Sequence, residues 1–197
     1  MYDYIKGQIV ELNPAEVTLE CYGIGYHILI SLTTFTQLQN SGGNATVYIH
    51  HIIREDDEQL YGFFDKKERS IFRLLISVSG VGPNSARMML SSLTPDEVCT
   101  AITAQDVNKI KSVKGIGVKT AQRVILELKD KIGKGVSENT FGELLSPVSS
   151  PVRDEASSAL VLLGFTKANV EKVVSSIISK NPSIALEDLI KTALKQL

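Results

Sequence analysis

"VKGIGVKTAQRV", residues 113–124, decides how the middle of the chain is read. Downstream of its glycines, Val118, Ala121, Val124, Ile125, Leu128 and Ile132 recur at the spacings of an apolar stripe on an amphipathic helix. Upstream, Gln105 to Val113 carries Val107, Ile110 and Val113 on one face, with polar Asn108, Lys109, Lys111 and Ser112 between them. A helix therefore feeds the turn, not a strand. This excludes the dinucleotide and Walker loops, which need a preceding strand and glycine spacings absent here. The segment reads as helix, Gly115-Ile116-Gly117, helix. Ile116 should point inward and join the helices, while the glycines let an outside group approach the backbone. The N–H groups opening the second helix lie at the positive end of its dipole and favour an anion. Lys119, Thr120 and Arg123 stand ready as side-chain donors, with Lys114 just before the turn.

A single Gly-x-Gly after a helix is commonly an ordinary helix C-cap. Here the pattern occurs twice. "VSGVGPNSARMML", residues 78–90, runs from a helix bearing Phe72, Leu75, Ile76 and Val78 through Gly80-Val81-Gly82 into one bearing Ala86, Met89, Leu90 and Leu93. Pro83 takes the first helical position, where its missing N–H costs nothing, and Asn84 and Ser85 follow. Gly80 and Gly115 are 35 positions apart, and Thr94 to Glu97 between them opens a helix with a capping box. Two helix–hairpin–helix units joined by a helix form a tandem, all-α module. Paired anion nests suit a ligand with repeated phosphates on two strands, which points to nucleic acid.

Charge agrees with this. The chain holds 21 basic and 22 acidic residues, net −1. Residues 1–62 hold two basic against eight acidic residues, net −6; residues 63–140 hold thirteen against eight, net +5; residues 141–197 hold six of each. The hairpins lie in the one basic section, the footprint that phosphate binding requires. Contact confined to phosphates carries no base information, so recognition by shape is expected.

The acidic section reads as β-structure. "YIKGQIVEL", "EVTLECY", "GYHILISL", "TVYIHHII" and "QLYGFF" are short β-branched or aromatic runs separated by turn residues. Five or six strands in about 60 residues suggest an oligonucleotide-binding (OB) type barrel. A section with net charge −6 repels a phosphate backbone, so Tyr2, Tyr4, Tyr22, Tyr26, Tyr48 and Tyr61 are read as packing or interface residues. "REDDEQ", residues 54–59, gathers Glu55, Asp56, Asp57 and Glu58 between two strands. It reads as a solvated hairpin tip, a metal site, or a negative projection held against DNA, and composition alone favours the first.

The order of a small barrel with an "RED…QLYGF" tip, then "GVGP", then "GIG·KTA·R", then a linker and a short helical tail, closely resembles the RuvA family. These are the Holliday-junction-binding subunits of the bacterial RuvAB branch-migration machine. The resemblance spans essentially the whole chain, and its specificity lies in the combination. It implies a flat homotetramer that holds four duplex arms of a junction in an open square. It also implies a central acidic pin, here Glu55 and Asp56, and it raises the third reading of the tip above the first. Two positions depart from the usual pattern: Asn84 and Val118 stand where lysines are common. The expected grip is therefore the backbone around Gly80, Val81, Gly82, Gly115, Ile116 and Gly117, with Asn84, Ser85, Lys114, Lys119, Thr120 and Arg123.

The expected organisation is α+β and multidomain: a barrel over 1–63, tandem hairpins over 64–140, a flexible Gly/Ser/Pro-rich linker over 141–152, and a three-helix bundle over 153–197. So small a bundle on a tether has little reason to exist unless it docks something. By resemblance its partner is the hexameric RuvB ATPase, met through an apolar patch near Leu160, Leu163 and Phe165, with the RuvC resolvase as a further candidate partner.

Cys21 and Cys99 lie far apart with no second pair, so neither zinc nor a disulfide framework is indicated. No cofactor is expected. With no signal peptide and no apolar run of membrane length, the expectation is a reduced, cytoplasmic protein away from membranes. Two functions remain open: a non-enzymatic junction binder and motor adaptor, or a structure-selective nuclease or glycosylase that grips DNA with the same hairpins.

Overall fold

A computed structural model of the chain describes residues 2–139, 151–181 and 184–197. The chain is α+β. Strands β1 (Tyr4–Asn13), β2 (Glu16–Cys21), β3 (Ile24–Ile30), β4 (Asn44–Ile53) and β5 (Glu58–Phe63) close into a barrel in the order β1-β2-β3-β5-β4. All neighbours are antiparallel except β3 and β5. That is the five-stranded OB-type arrangement. Alternation along the strands points Val17, Leu19, Ile28, Ile30, Val47 and Ile49 into one buried core. Helix α1 (Leu32–Gln39) connects β3 to β4 and is capped by Ser31, whose side chain accepts from the Thr34 amide.

Helices α2 (Lys66–Ile76), α3 (Pro83–Ser92), α4 (Pro95–Thr103), α5 (Val107–Lys111) and α6 (Val118–Asn139) follow. The expected Thr94–Glu97 capping box opens α4. α5 is shorter than its apolar pattern suggests. Gln105 adopts a left-handed φ of 56°, and Asp106 then caps the helix by accepting from the Lys109 amide at 2.9 Å. The barrel and the hairpins make one compact unit. Tyr61 and Phe63 of β5 stack on Phe72 of α2, with centroids 5.2 and 4.9 Å apart, so one apolar core runs from the barrel wall through both hairpins.

The seam between barrel and helices also holds a buried carboxylate. Glu68 of α2 accepts from the hydroxyls of Ser31 and Thr34, the latter at 2.6 Å, and Thr34 Oγ1 accepts from the Phe64 amide. Burial pushes the Glu68 carboxyl above the usual carboxylate range, against these hydrogen bonds. Glu68→Ala leaves two buried hydroxyls without their acceptor and should cost about 2–4 kcal/mol. The raised carboxyl binds its proton more tightly in the folded chain than in the unfolded one. Its contribution is therefore full at acid pH and declines as pH rises through the raised value. Melting curves from pH about 4 to 7 should show wild type losing stability relative to Glu68→Gln as pH rises; parallel curves would show an ordinary carboxyl.

The C-terminal helices form a second unit, described by itself. α7 (Pro151–Leu162), α8 (Lys167–Lys180) and α9 (Leu186–Leu194) pack around Ala156, Leu160, Val170, Val174, Ile177, Leu189 and Ala193. Of the expected linker over 141–152, residues 141–150 lie outside the described residues, and α7 begins at Pro151. No helix among the described residues is long and apolar enough to cross a membrane.

Candidate nucleic-acid interface

The two Gly-x-Gly turns repeat one another bond for bond. In the first, the Val81 amide donates to Val78 O at 3.0 Å and the Ala86 amide to Gly82 O at 3.0 Å; in the second, Ile116 donates to Val113 O at 3.1 Å and Ala121 to Gly117 O at 2.9 Å. Gly80 and Gly115 have φ of 90° and 88°, a conformation that only glycine adopts without strain. The central residues fold under. Val81 is 5% and Ile116 6% exposed, and their amides are taken by Val78 O and Val113 O, so these two hold the turns together and leave the outward donors to their neighbours.

Turning the apolar residue in turns the amides out. Among the described residues, the N–H groups of Gly80, Gly82, Asn84 and Ser85 at the first turn, and of Gly115, Gly117, Val118, Lys119 and Thr120 at the second, have no backbone acceptor. Space in front of them is open: a Cβ at Gly80, Gly82, Gly115 or Gly117 would meet nothing within 4 Å. Each nest thus offers free donors and a helix dipole to an anion from solvent. Lys114 and Lys119 are exposed and, among the described residues, make no ion pair, so both cations are available to phosphate.

Side chains around the nests are more committed than the sequence suggests. Arg123 donates from Nη1 to Ser79 O at 3.2 Å and lies 3.8 Å from Glu127. Asn84 sits 3.5 Å from the Tyr61 hydroxyl, which donates to Gln59 at 2.7 Å; Gln59 in turn donates to Asp57 at 2.6 Å. Burial raises the Tyr61 phenol above its ordinary pKa.

These bonds separate the four acids of the tip. The Arg54 amide donates to Asp57 O at 2.8 Å and closes the turn; the Asp57 carboxylate holds Gln59, and Glu58 pairs with His51 at 2.7 Å. His51 stacks on Tyr2, with ring centroids 5.3 Å apart. Among the described residues, Glu55 and Asp56 have no partner and stand exposed at the apex. Asp57 and Glu58 hold the turn, and Glu55 and Asp56 present its charge. Among the described residues no group of three or more metal-ligating side chains converges.

Known proteins match this sequence from end to end. The chain is 51% identical over 197 residues to a "Holliday junction branch migration complex subunit RuvA" of Christiangramia forsetii, with all of both chains covered. It is 48% identical over 202 residues to the protein of that name from Bacteroides fragilis and 46% over 197 to that from Flavobacterium psychrophilum, again over both full lengths.

The chain belongs to the RuvA family.

Its regions agree with that membership. The model "RuvA N terminal domain" matches residues 1–62, "SAM-like Helix-hairpin-helix tandem" residues 72–130, and "RuvA, C-terminal domain" residues 151–197. One expected residue of the RuvA C-terminal region is corrected by its position. Leu160, assigned to a docking patch, is wholly buried between the helices beside Ala156, four residues earlier on the same face. Leu163 is 62% exposed, and Phe165 is partly buried against the bundle core. Leu162 and Val161, which the sequence reading did not single out, are 88% and 38% exposed. The helical period could have found them, because the face opposite Ala156 and Leu160 passes through Leu162.

Proposed function

We propose that this chain binds four-way junction DNA without reading its sequence, as a homotetramer that holds the junction open and couples it to the RuvB motor for branch migration. The observation that carries the reading is the matched pair of outward-facing backbone nests on the only basic section of the chain. Their repetition gives regularly placed phosphate contacts, and their donors are main-chain groups indifferent to bases. The names of the relatives, which place those proteins in a Holliday junction branch migration complex, support the same ligand. Assembly is supported by Tyr4, Val10, Tyr22, Ile24 and Ile53, large apolar side chains exposed on the barrel of a single chain. In a fourfold assembly Glu55 and Asp56 supply a central negative pin that keeps strands apart.

The chain acts as a subunit without a catalytic centre of its own. A metal nuclease needs carboxylates converging from several elements. Here the four acids share one turn, and two of them are engaged within it. Purified protein should leave junction DNA intact with magnesium, and cleavage abolished by Glu55→Ala would establish the nuclease reading. In competition, four-way DNA should outbind linear duplex of equal length by about a hundredfold or more, because several arms are held at once. Equal affinity across a salt series would remove the junction from the proposal.

A further inference from the structure

The guanidinium of Arg123 belongs by sequence to the second hairpin, yet it is bonded to the first. It reaches from α6 to Ser79 O, 44 residues earlier, at 3.2 Å. Lys131, further along α6, reaches Ser77 Oγ at 3.3 Å. Two cations of one helix thus grip the short segment leading into the other hairpin's glycines. The carbonyl chosen is informative. Ser79 C=O and Gly80 N–H are opposite ends of one planar trans peptide, so fixing the oxygen fixes the direction of the amide. Gly80 has open space around it and a φ of 90°, and no side chain of its own restrains that peptide. A cation on the oxygen also polarises the N–H at the other end and makes it a better donor.

We propose that Arg123 is a positioning residue: it aims the Ser79–Gly80 peptide and locks the first nest to the second, so that both meet one duplex at a fixed spacing. The proposal rests on the nests binding phosphate, as argued above. It reassigns Arg123, which by sequence alone counts as a phosphate contact. The two roles differ in salt dependence. A side chain that contacts one phosphate accounts for a slope of ~0.9 in the logarithm of affinity against that of salt; a side chain that only orders the nest accounts for none.

The test uses full-length wild type, Arg123→Gln and Arg123→Lys. Junction affinity is read by fluorescence anisotropy across a salt series, and amide hydrogen exchange is followed in the free proteins. Arg123→Gln is expected to bind about tenfold more weakly at every salt concentration, with an unchanged slope. Exchange should rise locally over residues 79–85, and Arg123→Lys, which keeps a cationic donor, should restore part of both. A slope reduced by about one, unchanged affinity, or exchange that rises uniformly over the unit overturns the proposal. Failure of wild type itself to bind junctions would overturn the binding reading instead. The exchange result would then still decide whether Arg123 orders the first nest.

Discussion

Gly82→Val and Gly117→Val are each expected to give folded protein that has lost junction affinity by about a hundredfold or more. The choice of position follows from backbone geometry. Gly82 has φ −82° and ψ 167°, open to any residue, and Gly117 is outside the left-handed region. A Cβ at either meets nothing within the protein. At the head of α3 the change should cost about 1 kcal/mol of stability at most. The new methyl groups instead occupy the space through which a phosphate must come to reach the free amides. Loss of two charge-assisted hydrogen bonds per nest, at about 1.5–3 kcal/mol each, supplies the stated factor. Gly80→Val and Gly115→Val make poorer tests. Their positive φ would add about 1–3 kcal/mol of backbone strain, and lost binding would be confounded with lost folding. Anisotropy titration beside circular dichroism separates the two. Wild-type affinity in both Gly82→Val and Gly117→Val would remove the nests from the interface.

The nests were legible in the sequence because each is local: two glycines, one apolar residue between them and helical periods on either side determine the turn within a dozen residues. The barrel was legible for a similar reason, since alternation and turn residues mark its strands one by one. What sequence could not supply depends on partners distant along the chain. α1, "LTTFTQLQ", is short and rich in threonine, a poor helix former by propensity. It forms because Ser31 caps it, Leu38 is buried in the barrel core, and Thr34 is bonded to Glu68 of α2. The fusion of the barrel with the hairpins turns on Phe72 meeting Tyr61 and Phe63, a tertiary match that no periodicity encodes. The division of labour among the tip acids was equally hidden. Composition presents four equivalent carboxylates, whereas His51 and Gln59 claim two of them.

In the C-terminal bundle, replacing Leu162 and Leu163 together by aspartate should abolish motor-driven branch migration while leaving junction binding intact. Leu162 and Leu163 are 88% and 62% exposed, so two aspartates there remain solvated and the bundle keeps its core of Ala156, Leu160, Val174 and Leu189. Surface changes of this kind usually stay within about 0.5 kcal/mol of wild-type stability. At an apolar interface the same charges would be buried without partners, and a hot-spot loss of about 2–4 kcal/mol per site weakens docking by several orders of magnitude. Leu160→Asp serves as the contrast. Its side chain is wholly buried, so it should unfold the bundle and abolish docking by a different route, visible in a melting curve. Deleting residues 141–197 should match the double aspartate variant in both assays, because the barrel and hairpins have their own core. Migration at the wild-type rate by the double variant would move the docking surface away from the end of α7. Migration by the deletion would end the adaptor role of the tail altogether, since the motor would then be reaching the junction through the barrel or the hairpins.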